Sequence, residues 1–320
     1  MKEPIYGYLF VHFTGEDTEN GEQIYFSASE DGLHFKDLNE GKPVFSYSLS
    51  EKGLRDPFLI RREDKAFEEA WQKKEEQEIV GKYVLVATDL RIKSGKGWHA
   101  AQYAGSRYLV IYKSDDLCHF TEPVLLEVGI PEAGCVWAPE VIFDEKREEY
   151  LIFFASMVAD VGAEAKQRIY AVTTKDFIHF SETTQYLERP THVIDTTMIK
   201  VGEYYYRFSK NEETKYVDMD RAMDLHGEFE AVYSETLSQL PGVEGPEIYP
   251  LKEEGTYCLI LDQFATHKGY LPLITQDIEK GVFRVLSPEE YDLGKSRKRH
   301  GGVLPLTQAE YEKILSFWKK

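Results

Sequence analysis

Arg55-Asp56-Pro57-Phe58 is the first of five short segments that open a strand-like run with an acidic residue or a histidine. The other four follow in order: Ala138-Pro139-Glu140-Val141, Ile194-Asp195-Thr196-Thr197, Glu244-Gly245-Pro246-Glu247 and His300-Gly301-Gly302-Val303. Counted between Asp56, Glu140, Asp195, Glu244 and His300, the steps are 84, 55, 49 and 56 residues. The last three steps have the length of one four-stranded blade of a β-propeller. The pattern therefore predicts five blades whose innermost strands begin around one axis.

A recurring turn before each segment supports the same repeat. Each turn places an Asp a few residues before a Phe: Asp31-Gly-Leu-His-Phe35, Asp116-Leu-Cys-His-Phe120, Asp176-Phe-Ile-His-Phe180, Asp224-Leu-His-Gly-Glu-Phe229 and Asp277-Ile-Glu-Lys-Gly-Val-Phe283. Between these signals lie short β-branched or aromatic runs separated by Gly and Asp, which is the pattern of antiparallel strands. The sequence predicts an all-β fold, a five-bladed β-propeller, as a single domain over residues 1–320.

The two ends of the chain complement each other. Tyr6–Phe13, Gln23–Ser29 and Pro43–Phe45 are three predicted strands that lack an innermost partner. His300 opens an innermost strand, Gly302–Leu306, whose own blade is missing. Pairing the N- and C-terminal strands in one blade would close the ring and remove an exposed sheet edge.

A charged insertion accounts for the longer first step. Its density of Lys and Glu predicts a solvated helix near Glu68–Glu78, in which Trp71 is the residue suited to docking on another surface. A second helix is predicted at Gln308–Trp318. The sequence leaves open whether the insertion at 64–81 reaches the rim of a pocket.

The composition restricts the class of partner. The formal net charge of −18 argues against nucleic acid, which binds a basic surface, and against an acidic polysaccharide. Aromatic residues make up 13% of the chain, which suits both strands and surfaces that stack on sugars. A neutral small molecule or glycan is therefore the expected ligand.

The N-terminal sequence and the cysteines bear on location. Met1-Lys2-Glu3-Pro4 leads into a strand-like run without the basic and apolar regions of a signal peptide. No stretch approaches the roughly 18 apolar residues of a membrane span. A cytoplasmic protein with no membrane partner is predicted. Cys118, Cys135 and Cys258 lack paired spacing and are expected to be buried, reduced thiols.

The acidic strand starts are the candidates for chemistry. A single Asp before Pro is usually a turn residue, but Asp56, Asp195 and Glu244 open three innermost strands that converge on one axis. Burial and mutual repulsion would move their pKa values apart, as a pair of general acid and general base requires. Glu140, which follows Trp137-Ala138-Pro139, is expected to bond neighbouring backbone rather than ligand.

The ordered motifs resemble glycoside hydrolase family 43, in the five-bladed group active on arabinan and xylan. They cover nearly the whole chain: Arg55-Asp56-Pro57, Trp137-Ala138-Pro139-Glu140, Ile194-Asp195, Glu244-Gly245-Pro246 and Arg299-His300-Gly301. The resemblance implies Asp56 as general base, Asp195 as modulator of the acid's pKa, Glu244 as general acid, and inversion at the anomeric carbon. Like-charge repulsion from Asp195 is expected to raise the pKa of Glu244. The Trp137 motif ends in Asp in many relatives and in Glu140 here.

The resemblance also suggests ligands. No cofactor is expected for the chemistry, but His300 would face the central channel and could bind a hydrated, structural Ca²⁺. An axial His held by backbone and water is the alternative, because one His is a poor ligand set for Ca²⁺. Trp98, Trp137 and His267 are the candidates for contacts with the sugar.

The substrate is the least determined feature. The family includes α-L-arabinofuranosidases, β-xylosidases, arabinanases and enzymes acting on β-1,3-galactan. An exo-acting α-L-arabinofuranosidase on neutral oligosaccharides of plant cell walls is the leading interpretation, with a β-xylosidase or bifunctional enzyme next and an exo-galactanase behind them. The oligomeric state is not indicated.

Two rivals belong to other classes. A propeller that only binds glycans would not need three mutually repelling carboxylates. A retaining, fructan-cleaving propeller also carries Arg-Asp-Pro, but its Asn-Asp-Pro-Asn and Glu-Cys motifs do not occur in this chain.

Overall fold

Twenty strands form five four-stranded antiparallel sheets in the computed structural model, which describes residues 3–75, 78–159 and 164–318. The five innermost strands contact one another in ring order. The predicted five-bladed β-propeller is therefore confirmed.

The N-terminal strands and the last strand share one blade, called blade V. It contains β1 (Gly7–Phe13), β2 (Tyr25–Ser29), β3 (Phe35–Asp37) and, innermost, the C-terminal strand Arg299–Leu306. Gly7 lies opposite Leu306, and Phe13 lies opposite Arg299. This pairing closes the ring as predicted.

The other four blades are consecutive in the chain, with the innermost strand first in each. Blade I is β4 (Leu54–Arg61), β5 (Tyr83–Asp89), β6 (Tyr108–Ser114) and β7 (Val124–Glu127). Blade II is β8 (Trp137–Asp144), β9 (Glu149–Val158), β10 (Lys166–Thr174) and β11 (Thr184–Leu187). Blade III is β12 (Val193–Val201), β13 (Tyr204–Asn211), β14 (Val217–Ala222) and β15 (Glu230–Ala231). Blade IV is β16 (Glu244–Pro250), β17 (Tyr257–Asp262), β18 (Tyr270–Asp277) and β19 (Val282–Val285), and the last strand of blade V is β20 (Arg299–Leu306).

One predicted strand is wrong. The third strand of blade V is Phe35–Asp37, which follows the Asp31 turn and pairs with β2, and not Pro43–Phe45. The latter segment packs as a loop, with the Phe45 ring stacked on Tyr112 at 4.4 Å between centroids. Alternating apolar residues in a short segment indicated a strand there, but their side chains fill a gap between blades instead.

The core lies between neighbouring blades, so both faces of each sheet are covered. Every residue of β5 is buried, which explains its continuous apolar run. Between blades I and II, Val86, Ile111, Ile152 and Phe154 belong to one buried cluster. Burial at roughly 25 cal/mol per Å² of apolar surface makes these contacts the main stabilising contribution. The three cysteines are free and buried, as expected.

Three α-helices lie outside the blades within the described ranges: α1 (Lys65–Lys73), α2 (Trp98–Tyr103) and α3 (Gln308–Trp318). Sequence reasoning found α3, placed α1 three residues late and missed α2; residues 76 and 77 of the predicted Glu68–Glu78 helix lie outside the description. None of the described helices is long and apolar enough to cross a membrane.

Strand direction decides which helix can reach the candidate carboxylates. Each innermost strand begins at the end of the channel that holds the carboxylates. The β4–β5 connection therefore lies at the opposite end, and the β5–β6 connection lies at the carboxylate end. Accordingly α1, in the insertion at 64–81, joins the far end, where Lys65 pairs with Glu148 of the β8–β9 turn at 2.9 Å. The described residues of the insertion, 64–75 and 78–81, are therefore not part of the pocket rim. Trp71 is 41% exposed there, beneath the Lys74 ammonium.

Candidate active site

An irregularity near the start of every innermost strand shapes the mouth of the channel. Four strands carry a β-bulge with a residue at positive φ: Asp56 (49°), Ala138 (48°), Asp195 (46°) and Gly245 (50°). In β20 the register shifts between Arg299 and Gly301, which places His300 at the equivalent position. These five residues are called the bulge ring. Only glycine adopts positive φ without cost, so the backbone is strained at the three non-glycine positions of the four.

The bulge ring corrects the assumed equivalence of the acidic strand starts. Glu244 precedes the ring position Gly245 by one residue, and Glu140 follows the ring position Ala138 by two. Asp56 and Asp195 are therefore level with each other, Glu244 lies one step towards the mouth, and Glu140 lies deeper in the channel. Spacing alone could not show this, because a bulge adds residues without adding length.

His300 lies between the two aspartates of the bulge ring. Its Nδ1 is 3.6 Å from Asp56 Oδ1 and 3.8 Å from Asp195 Oδ1. Gly245 makes this approach feasible, because a Cβ there would lie 2.7 Å from His300 Cγ. The Gly245 N–H also donates to Asp195 Oδ2 at 3.0 Å. The second oxygen of Asp56 accepts a hydrogen bond from the Thr88 hydroxyl at 2.9 Å.

Glu244 is held between two cations. Lys210 Nζ donates to its Oε2 at 2.7 Å, and Arg299 donates to its Oε1 at 2.9 Å. Each cation has a second carboxylate: Lys210 pairs with Glu212 at 2.7 Å, and Arg299 with Asp262 at 2.6 Å. The candidate site is thus a charge network in which the two cations neutralise part of the acidic cluster.

These contacts set the pKa values in the opposite order to the sequence-based expectation. Burial raises the pKa of Asp195 to about 6, and the Glu244 and Asp56 carboxylates add to the effect. Burial also acts to raise the pKa of Glu244, but Lys210 and Arg299 together outweigh it and leave that pKa lowered. The expected net rise in the pKa of Glu244 is therefore wrong, because the attraction of the two cations dominates. Asp195 is the carboxyl that holds a proton more readily.

A second pair of carboxyls lies deeper in the channel. Glu140 and Glu247 occupy equivalent places after the bulges of β8 and β16, and they are only 4% and 2% exposed. The Val303 N–H donates to Glu247 at 2.7 Å, and the Thr197 hydroxyl donates to it at 3.2 Å. Burial raises the pKa of Glu247 to about 8. Burial, followed by repulsion from Glu247, raises the pKa of Glu140 well above its usual value.

This deeper pair predicts a stability effect that depends on pH. The Glu247 pKa of about 8 in the fold exceeds the ordinary 4.5, so its stabilising contribution is present below about pH 4.5 and is lost as the pH rises through 8. Glu247→Gln mimics the protonated form. Between pH 4.5 and pH 8 its free energy of unfolding should therefore fall less than that of the unaltered protein. The difference is expected to be on the order of 1 to 3 kcal/mol.

Urea unfolding at pH 5 and pH 8 measures this difference. The exposed Glu253→Gln is the matched control, expected to follow the unaltered protein at both pH values. Equal pH dependence in Glu247→Gln and the control would contradict a proton held by the deeper pair.

Two tryptophans meet beside the bulge ring. Trp98 of α2 is 49% exposed and lies edge-on to Trp137, with the ring centroids 6.1 Å apart. Trp137 precedes the ring position Ala138 directly. Arg55, which precedes Asp56, lies 5.0 Å from the Trp98 ring. The structure thus joins both predicted aromatic residues to the carboxylate end of the channel.

The third predicted sugar contact is placed differently. His267 is exposed in the β17–β18 connection on the same face. Of this loop's described residues, Phe264 is the one that packs on the charge network, its ring 4.2 Å from Lys210 Nζ. The structure does not bring His267 together with the tryptophans.

Sequence reasoning missed the two cations that contact Glu244. Lys210 stands at the end of the aromatic run Tyr204–Phe208, on a strand whose other residues are mostly buried. Arg299 directly precedes His300. A charged residue that interrupts a buried strand was the available signal, because it is buried only with an ionic partner.

Among the described side chains, His300 has few neighbours that could act as ligands of the hydrated Ca²⁺ inferred there. Ca²⁺ takes six to eight oxygen ligands. Within residues 3–75, 78–159 and 164–318, no group of three or more His, Cys, Asp or Glu is arranged to hold a metal ion. His300 instead faces the carboxylates of Asp56 and Asp195. No catalytic step is routed through a metal, and the Ca²⁺ ion stays a prediction.

Converging carboxylates beside exposed aromatics at a propeller mouth define a site for glycoside chemistry. The family model described as "Probable glycosyl hydrolase domain", of a group related to glycoside hydrolase family 43, matches residues 3–312. The chain belongs to this family, which confirms the resemblance seen in its motifs.

A curated relative supports the same family. An α-L-arabinofuranosidase of Bifidobacterium longum subsp. longum is 31% identical over 229 residues, which are 66% of this chain. The chain covers 20% of the length of that relative.

Solved structures share the fold. An α-L-arabinanase of Penicillium chrysogenum in complex with arabinobiose is 13% identical, with a TM-score of 0.54 over 95% of this chain and 93% of the other. An α-L-arabinofuranosidase of Fusarium graminearum is 13% identical, with a TM-score of 0.53 over 88% of this chain and 80% of the other. At this identity, the similarity concerns the fold.

Proposed function

We propose that the protein is an exo-acting, inverting glycosidase that releases terminal α-L-arabinofuranose from neutral oligosaccharides of plant cell walls. The observation that carries the proposal is the meeting of Asp56, Asp195 and Glu244 at one end of the channel, next to Trp98 and Trp137. The name of the Bifidobacterium relative supports arabinofuranose as the sugar. The charge of −18 suits a neutral substrate.

Inversion requires two carboxyls with separate tasks. Asp56 takes a proton from a water that attacks the anomeric carbon, and Glu244 gives a proton to the leaving glycosidic oxygen. We expect the two groups to stand roughly 6.5–9.5 Å apart, because the water must fit between Asp56 and the sugar. The Thr88 hydroxyl orients Asp56, and the Gly245 N–H orients Asp195.

The proton for the leaving group belongs to a coupled pair. Asp195 and Glu244 repel each other, so a proton on either carboxyl stabilises the pair. With the Asp195 pKa at about 6, the pair holds a proton below that pH and loses it above. The rate constant kcat/KM is therefore expected to fall as the pH rises through about 6.

Substrate choice and mode of attack follow from the pocket. We expect a pocket at this mouth of the narrow ring, flanked by Trp98 and Trp137, to bury one terminal sugar and to leave later sugars few contacts. We expect single arabinose units to be released first from linear arabino-oligosaccharides. Nitrophenyl arabinofuranoside should be cleaved faster than the xyloside and galactoside.

Chromatography of the early products and NMR of the product anomer measure these expectations. Dimers or trimers appearing before the monomer would contradict exo attack, and a retained anomer would contradict inversion. A xyloside rate well above the arabinoside rate would identify a β-xylosidase instead.

A further inference from the structure

Both carboxylate oxygens of Glu244 accept a hydrogen bond from a cation. Lys210 Nζ lies 2.7 Å from Oε2, and the Arg299 guanidinium lies 2.9 Å from Oε1. A carboxylate engaged in this way is stabilised in its ionised form. Glu244 can donate a proton to a glycosidic oxygen only after one of these contacts is lost.

The two cations differ in how firmly they are held. Arg299 donates to Asp262, which is fully buried, and its guanidinium lies 5.7 Å from the Phe13 ring. Moving Arg299 would leave Asp262 as a buried, uncompensated charge, which is costly. Arg299 is therefore the fixed partner of Glu244.

Lys210 has a second ionic partner besides Glu244. Its Nζ also lies 2.7 Å from Oε2 of Glu212, whose side chain is 30% exposed just beyond β13 at the mouth. The other oxygen of Glu212 accepts from Lys215 at 2.6 Å, so Oε2 is the oxygen available to Lys210. Lysine is a flexible point charge, and one ammonium can keep an ionic partner while it gives up another. The Phe264 ring, 4.2 Å from Nζ, favours a cation at this place.

We propose that Lys210 is a positioning residue that caps Oε2 of Glu244 in the free enzyme and withdraws to Glu212 when a glycosidic oxygen takes that place. This inference rests on the proposed function. Lys210 stays an ammonium ion throughout. Once Lys210 has withdrawn, Glu244 takes the proton that its pair with Asp195 holds and gives it to the leaving oxygen. Glu244 is thus protonated, and able to act as the general acid, only when substrate is bound.

Several other charged groups act on Glu244. Arg299 and His300 of β20, Asp262 of β17 and Asp195 of β12 interact electrostatically with Glu244, and all four stay unchanged in the variants. Lys215, which donates to Oε1 of Glu212 at 2.6 Å, also stays unchanged. Only Lys210 or Glu212 is altered, so a change in proton binding by Glu244 reports on this ion pair.

Lys210→Met removes the cap without adding a charge. Since kcat/KM reports the free enzyme and kcat reports the substrate complex, the two profiles separate the states. The alkaline limb of kcat/KM should move up by about 1 to 2 pH units, the usual effect of one close opposite charge. The alkaline limb of the pH profile of kcat should move far less, because Lys210 has already left Glu244 in the substrate complex.

The control is Lys166→Met, which removes a half-buried lysine paired with Glu188 at 2.7 Å outside the site. It should leave both limbs in place. Equal shifts of kcat and kcat/KM in Lys210→Met, or no shift of either, would overturn the proposal.

Glu212→Gln tests the withdrawal and keeps Lys210 in place. With its alternative partner neutral, Lys210 should stay on Glu244, lowering kcat several-fold and moving the alkaline limb of kcat down. An unchanged kcat profile would contradict the withdrawal.

Carboxyl ¹³C NMR of the ligand-free protein separates this inference from the proposed function. Lys210→Met should raise the pKa of Glu244 whether or not any glycoside is cleaved. An unchanged titration would refute the cap, whereas a raised pKa in a protein that cleaves no glycoside would refute the enzymatic proposal alone.

Discussion

Asp56→Asn is expected to lower kcat on arabino-oligosaccharides by about 10² to 10⁴ or more while the fold is kept, because the attacking water loses its general base. Asn has nearly the shape of Asp and can still accept the Thr88 hydrogen bond of 2.9 Å. It cannot take a proton at neutral pH. Steady-state kinetics with thermal unfolding of the same sample measure the effect.

The matched control is Asp277→Asn, which alters a 40% exposed side chain paired with Lys280. Its rate should equal that of the unaltered protein. A rate in Asp56→Asn within a few-fold of the control would remove Asp56 from the role of base.

Glu244→Gln is expected to lower kcat on natural oligosaccharides by a similar factor of about 10² to 10⁴, because their alkoxide leaving groups need a proton. The fall in kcat should be much smaller on nitrophenyl glycosides, since nitrophenolate leaves without full protonation. A difference between the two substrates is the signature of a general acid. It would not arise from a merely distorted site.

Stability must be measured in the same samples. Gln leaves Lys210 and Arg299 without their shared anion, so thermal unfolding shows whether lost activity reflects lost structure. The exposed Glu253→Gln serves as control for the substitution. Near-normal activity on oligosaccharides in pure Glu244→Gln would reject the acid assignment.

The candidate site was predictable in part. Asp56, Asp195 and His300 were each found from their place at a strand start, and the structure brings them together. Lys210 and Arg299 were not found, because their partner Glu244 lies 34 and 55 residues away in sequence. Contacts across blades leave no local pattern, and so the direction of the Glu244 pKa could not be read from the chain.

The repeat, by itself, determined the architecture. Short strand-like runs and Asp turns recur at the length of one blade, and each blade can bury its faces only against its neighbours, so a closed ring follows. The complementary chain ends determined that β20 pairs with β1. These features are encoded within or between adjacent repeats, where periodicity is visible.

The tertiary structure alone decided the heights and charges within the channel. The bulges place Asp56 and Asp195 at the same depth along the channel axis. They place Glu244 nearer the mouth and Glu140 deeper, beside Glu247. A bulge depends on the register between paired strands rather than on residue spacing. Proton affinity depends in turn on burial and on charges from other blades, and both exist only when the ring is closed.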